Sequence, residues 1–207
     1  MVKNSSFIFT NDKLIRSAFK INLERIYRKN QHAKVIEELG ITHGAARVDI
    51  AVVNGILHGY ELKSDLDTLY RLSKQMKIYN SVFDQVTLVV GKKHLYEAIK
   101  IIPDWWGIKI AKIIDSSGVV SFCDIRESTE NPNRISVEIA KLLWRIEALN
   151  ILEKKGHAKG MRSKPRKEIY ERLAMVLDQE DLRAEVRKRL LTRVDWRSEK
   201  QYMLNDS

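Results

Sequence analysis

The sequence predicts an α/β fold with a mixed sheet, followed by a helical extension. Three observations carry this. Two apolar runs flank an Asn-Gly pair in VDIAVVNGILHGYELKS (48–64). QVTLVVG (85–91) is a nearly unbroken β-branched run, as a buried strand requires. Segments of helical periodicity lie before, between and after these runs.

Taken in order, residues 12–39 read as helix, because Leu14, Ile15, Ala18, Phe19 and Leu23 recur at helical spacing. Asn30-Gln31 divides this region into two segments, and Gly40 offers a C-terminal stop. Two strands follow, 47–53 and 57–63. TLYRLSKQMKIYNS (68–81) returns to helical spacing, and 85–91 is the buried strand. KKHLYEAIKII (92–102) reads as helix halted by Pro103. GIKIAKII (107–114) and, after a Ser-Ser-Gly turn, VVSFCDI (119–125) read as strands. ESTENPNRIS reads as loop, and helices are expected over 135–154, 165–178 and 180–193. The expected division is an α/β domain over 1–134 and a basic helical extension over 135–207.

With 207 residues and 44% apolar content, the chain can bury a core. A net charge of +10 favours a polyanionic partner, most simply nucleic acid. No apolar run approaches the roughly 20 residues of a membrane span. MVKNSSFIFTNDK contains no apolar stretch of signal-peptide length. Cys123 is the single cysteine, which excludes an intrachain disulfide and points to the cytoplasm.

The hairpin holds the candidate chemistry. A plain two-residue Asn-Gly loop would set Val48 against Glu61 and put Asp49 and Glu61 on opposite faces. An odd loop, or a bulge, pairs Ile50 with Tyr60 and Val48 with Leu62. Register follows the buried face, which favours the second pairing. It sets Asp49 opposite Glu61, with Lys63 one diagonal step away. Two facing carboxylates repel unless a cation lies between them. Magnesium takes such oxygen ligands, and a lysine beside it can hold or help deprotonate a water, an arrangement suited to phosphodiester hydrolysis. The competing reading is a solvated polar face with a Glu–Lys pair.

Glu38, or its neighbour Glu37, lies near the end of the preceding helix as read. Gln75 and Tyr79 stand at i and i+4 on the next one, hence on one face. The order and spacing of Glu38, Asp49, Glu61-Leu62-Lys63, and Gln75 with Tyr79 resemble the PD-(D/E)XK nuclease superfamily. Within it they are similar to the RecB-like branch, which adds a Gln-x-x-x-Tyr helix. The likeness covers roughly residues 10–115. GAARVDIAVVNGILHGYELKSDLDTLYRLSKQMKIYN and PDWWGI (103–108) also look like recurring strings of a poorly characterised bacterial family in that superfamily. Val48 stands where the motif has proline.

The resemblance implies a restriction-endonuclease-like αβββαβ core and a divalent-metal-dependent nuclease acting on DNA. It implies magnesium or manganese held by Asp49, Glu61 and the Leu62 carbonyl. Glu38 would complete the site, and Lys63 would act on the attacking water. Gln75 and Tyr79 would support the site or contact nucleic acid. Because the superfamily also has members that bind without cutting, the alternative is a non-catalytic nucleic-acid-binding or protein-interaction module, a subunit of a repair or phage-defence assembly.

Other residues receive structural readings. Asp65 and Asp67 are expected to cap the helix at Thr68. Asp84 is expected to stay solvated. His43, His58 and His94 lack metal-ligand spacing, and His58 is expected on the face away from Glu61. Trp105 and Trp106 are expected to pack. Ile139, Leu142, Leu143, Ile146 and Leu149 form an apolar helix face suited to docking on the core or to pairing with another chain, as a homo-oligomer or with a protein partner. KKGHAKGMRSKPRK (154–167) carries Lys154, Lys155, Lys159, Arg162, Lys164, Arg166 and Lys167. It reads either as a flexible phosphate-gripping arm or as a solvated linker.

Overall fold

The computed structural model describes residues 8–114 and 118–193. The leader reading of residues 1–7 and the Ser116-Ser117 part of the predicted turn lie outside the described residues. The chain separates into two compact units, residues 1–135 and 136–207.

The first unit is a mixed α/β structure built on a six-stranded open sheet. Its elements are α1 (Asp12–Tyr27), β1 (Lys34–Ile41), β2 (Ala46–Asn54), β3 (Ile56–Lys63), α2 (Leu72–Asn80), β4 (Gln85–Gly91), α3 (Leu95–Ile101), β5 (Gly107–Ile113) and β6 (Val120–Arg126). Strand order in the sheet follows the sequence. β1, β2 and β3 pair antiparallel, β3, β4 and β5 pair parallel, and β6 returns antiparallel to β5.

Helix α1 starts where the Asn11 side chain accepts the Leu14 N–H at 2.9 Å, satisfying one orphan donor of the first turn. Its Ile15, Phe19 and Leu23 pack on Ile50, Val52, Tyr60, Leu62, Val89 and Ala111, which covers one sheet face. Phe19 meets Tyr60 edge-on at 5.1 Å. On the opposite face, Tyr79 of α2 meets Phe83 edge-on at 5.7 Å and stacks with Trp106 at 6.2 Å. Phe83 closes on Gly59, where a Cβ would lie 3.1 Å from its ring. Trp105 and Trp106 are both buried, and the Trp106 indole N–H donates to Asn80.

Four expectations are corrected here. Residues 34–41 form a strand, so Glu38 sits on β1 and Gly40 pairs within the ladder. Ile36 pairs with Ala51 and Leu39 with Val48, positions of opposite parity on β2. The strand is therefore buried on both faces, and its apolar residues fall three apart, as on a helix. Helix α2 begins at Leu72, so Asp65 and Asp67 belong to a loop instead of capping a helix at Thr68. Asp84 is buried, because its carboxylate accepts the Leu57 N–H at 2.7 Å.

The fourth correction concerns the second unit: α4 (Ser136–Ala140), α5 (Arg145–Lys154), α6 (Arg166–Val176) and α7 (Gln179–Thr192). The single helix expected over 135–154 breaks after Ala140, where Trp144 caps α5 and its N–H donates to Glu147. Ile139, Leu142, Leu143 and Leu149 are buried, whereas Ile146 is exposed. No helix among the described residues is long and apolar enough to cross a membrane.

Candidate functional site

The hairpin closes with Asn54 paired to Ile56 across Gly55, whose φ of +71° suits glycine. This odd connection pairs Ile50 with Tyr60 and, by count, puts Asp49 opposite Glu61. The paired residues of the β2–β3 ladder end at Ile50–Tyr60. Beyond that point the Leu62 N–H donates to Asp49 Oδ2 at 2.7 Å, so a side chain stands in for the missing main-chain acceptor. On β1, Glu37 pairs with Ile50 and Leu39 with Val48, which sets Glu38 level with Asp49. Glu38 has a left-handed φ of +55°, a costly backbone state for a non-glycine residue.

Glu61 is 1% exposed and all its bonds are internal. Its Oε1 accepts from the Lys63 ammonium and, at 2.6 Å, from the Gln75 amide. Its Oε2 accepts from the Tyr79 hydroxyl at 2.7 Å. Burial pushes the Glu61 carboxyl above the usual carboxylate range, and the charge of Asp49 adds to it, while Lys63 and the Tyr79 hydrogen bond pull the other way. Burial, then Glu61, also raises the Tyr79 hydroxyl. Tyr79 is fully buried and lies 2.8 Å from the Arg47 carbonyl, so it supports Glu61 instead of meeting a ligand.

Arg16 of α1 was not singled out by the sequence. Its guanidinium lies 2.7 Å from Asp49 Oδ1 and 2.7 Å from Glu38 Oε1. Burial lowers its pKa, but the pull of Asp49 and Asp12 outweighs that and raises it. Glu38 also pairs with Arg47 at 3.4 Å, and Glu37 pairs with Lys20. The helical spacing of α1 marks only its apolar side, so nothing in the sequence distinguished Arg16 from other surface arginines.

A divalent ion was tested against this donor set. Among the described residues no group of three or more His, Cys, Asp or Glu side chains gathers to hold a metal. Magnesium needs fewer protein ligands, one or two carboxylates with water completing the octahedron. Gln75 Oε1 is buried with no hydrogen-bond partner, on the same amide that bonds Glu61. An orphaned acceptor beside a carboxylate of raised pKa is a place short of positive charge or of a donor water. The set fits a hard, hydrated cation.

Away from this cluster, His58 shares the α1-facing side with Tyr60, stacked at 4.2 Å, and its Nε2 lies 2.9 Å from Thr87 Oγ1. Burial, aided by Lys109, pushes its pKa down to about 3. In the second unit, residues 154–167 are not a loose arm. Turn bonds join Met161 to Ala158 and Lys164 to Met161, and Arg145 donates to the Arg162 and Lys164 carbonyls. Within the same stretch Lys155 pairs with Asp181, Arg162 with Glu153, Lys164 with Glu168 and Lys167 with Glu171. Acidic neighbours thus answer much of the expected phosphate-gripping charge, which includes Lys154, Lys159 and Arg166.

The fold and site define an α/β protein with a carboxylate pair at the open end of a hairpin. The family described as bacteriophage P4 protein cII matches residues 13–205, and the chain belongs to that family. Protein cII of Enterobacteria phage P4 is 39% identical over 80 residues. That stretch is 38% of this chain and 30% of the phage protein, so the match spans under a third of the relative's length. A solved structure, the SPO1766 protein of unknown function from Silicibacter pomeroyi, is similar with a TM-score of 0.41 at 17% identity, over 72% of this chain and 94% of that one.

Proposed function

We propose that the first unit is a PD-(D/E)XK-type nuclease domain that hydrolyses phosphodiester bonds in DNA with magnesium or manganese. The observation that carries this reading is the register that sets Asp49 opposite Glu61, with Lys63 bonded to Glu61. The element order α1-β1-β2-β3-α2-β4 supports it, being the αβββαβ order of restriction-endonuclease-like cores. Gln75 and Tyr79 support it further, because both bond the candidate metal-binding carboxylate.

In this reading Asp49, Glu61 and the Leu62 carbonyl would hold the ion, with Glu38, now paired with Arg16, completing the site. The bound ion would polarise the phosphodiester and lower the pKa of a water. Lys63 would orient that water, while Tyr79 and Gln75 hold Glu61 in place and the Leu62 N–H fixes the Asp49 rotamer.

One observation favours a second reading. Arg16, Lys63, Gln75 and Tyr79 already engage the Asp49 and Glu61 carboxylates, so both carboxylates have partners without an ion. A non-catalytic nucleic-acid-binding module would keep such a cluster for rigidity alone.

The test is incubation of the full chain with single-stranded, duplex, nicked and branched DNA, and with RNA, in magnesium or manganese. Metal-dependent cleavage that disappears in Asp49→Ala is expected. No cleavage of any substrate, or equal cleavage by both proteins, overturns the nuclease reading. Binding that survives Asp49→Ala without cleavage supports the second.

A further inference from the structure

We infer that the loop over residues 64–71, directly after Lys63, is a rigid stacking platform for the unpaired bases of a nucleic-acid strand. The inference deepens the nuclease reading and rests on it for the identity of the polymer.

The loop is fixed from within. Asp65 is buried and accepts from the Thr10 N–H at 2.9 Å, the Thr10 hydroxyl at 2.7 Å and the Lys93 N–H at 2.9 Å. Asp67 accepts from the Ser64 N–H at 2.7 Å and its hydroxyl at 2.6 Å, and the Asp67 carbonyl lies 2.9 Å from the His94 ring. Leu69 is buried. A Cβ at Gly91 would lie 2.4 Å from the Asp65 carboxylate, so the strand behind the loop is pressed against it.

On this frame the loop turns Leu66 and Tyr70 outward. Leu66 is 67% exposed and Tyr70 is 92% exposed. Tyr70 makes no hydrogen bond or ring contact among the described residues. A pinned loop that holds a leucine and an unpartnered aromatic ring this far into solvent has a ring face ready for a partner to stack on. The chemistry around it selects the partner. Arg71 and Lys74 follow Tyr70, and Lys92 and Lys93 come from a 3-10 turn whose Lys93 N–H bonds Asp65, with the Lys93 ammonium 3.2 Å from the Asp65 carbonyl; all four residues are exposed. The loop's own acids, Asp65 and Asp67, are turned inward and used. What remains outward is cationic and aromatic. That is the composition that grips phosphates and stacks bases, and only unpaired bases offer a free face to a tyrosine.

The test is fluorescence anisotropy of the full chain with labelled single-stranded DNA and with the blunt duplex of the same sequence, in EDTA so that no cleavage is needed. Single strands are expected to bind more tightly than the duplex. Tyr70→Ala should weaken single-strand binding about 5- to 100-fold, the effect of losing one stacked base, while Tyr70→Phe keeps it within about twofold. An unchanged melting temperature confirms that the substitution leaves the fold intact. Tyr70→Ala binding single strands as the wild type does, or an equal loss on the duplex, overturns the inference; a protein-docking role for the loop gives the first of these. Tyr70-dependent binding without metal-dependent cleavage leaves the platform standing and removes the nuclease reading. Cleavage untouched by Tyr70→Ala does the reverse.

Discussion

Arg16 of α1 sits 2.7 Å from Asp49 Oδ1, so a helix packed on one sheet face supplies the counter-ion for a carboxylate on β2. The same guanidinium reaches Glu38 on β1 and Asp12 on its own helix. One flexible cation thus gathers three carboxylates around the open end of the hairpin.

If Asp49 holds a divalent ion, Arg16 competes with it for the same oxygen. Arg16→Ala is expected to tighten manganese binding by about two- to fivefold, the range of a partly exposed ion pair. Titration calorimetry on the full chain measures this. Unchanged or weaker manganese binding would mean that Arg16 and the ion do not share Asp49.

Most of the fold was legible where the physics is local. QVTLVVG became β4 with the expected bounds, since a run buried on both faces needs no alternation to be read as strand. The hairpin register was legible because shifting it by one would turn Ile50 and Tyr60 away from α1. Strand β1 was not, because Ile36 and Leu39 serve opposite faces and mimic helical spacing. The pair Asp49–Glu61 could be counted out from the turn. Arg16 could not, because its place depends on how α1 crosses the sheet, and no spacing within α1 encodes that. Within 154–167 the Lys155–Asp181 and Arg162–Glu153 pairs were hidden for the same reason, their acids lying on α7 and α5, whereas Lys164–Glu168 and Lys167–Glu171 stand at i and i+4 and were open to reading.

The Asp65 clamp makes Gly91 sensitive. An added methyl would meet the carboxylate at 2.4 Å and the Asp65 N at 2.6 Å, and neither group can move without releasing Thr10 or Lys93. Gly91→Ala is therefore expected to cost about 1–3 kcal/mol, as overpacking of a filled site does. Urea unfolding followed by circular dichroism reads the loss. A variant as stable as the wild type would show that the loop is not pinned as described.

His58 gives the first unit an acid sensitivity of defined sign. Its pKa falls from an ordinary value of 6.5 to about 3 in the folded protein. Above pH 6.5 the ring is neutral in folded and unfolded chains alike, and its contribution is fully present. As pH drops from 6.5 towards 3, the unfolded chain takes a proton that the buried ring refuses, and stability is lost. His58→Gln should flatten this part of the curve of urea midpoint against pH. Parallel curves for the two proteins would assign the acid sensitivity to other groups.

In the second unit, Arg193 and Glu147 form a buried ion pair with the Arg193 Nε 3.0 Å from Glu147 Oε1. Arg193 also donates to the Leu142 carbonyl at 2.8 Å and lies over the Trp144 ring at 4.3 Å. Glu147 in turn accepts the Trp144 N–H at 2.8 Å, which caps α5. The end of α7 is thereby tied to the start of α5. Arg193→Ala leaves a buried carboxylate without its cation and is expected to destabilise the unit by about 3–5 kcal/mol. Glu147→Gln keeps a cap acceptor but removes the charge, so Arg193→Ala with Glu147→Gln should recover part of the loss, giving a coupling of at least about 1 kcal/mol in a double-mutant cycle. Additive losses would mean that the two side chains stabilise α5 and α7 separately, and that the helix ends are held by the Leu142 and Trp144 contacts alone.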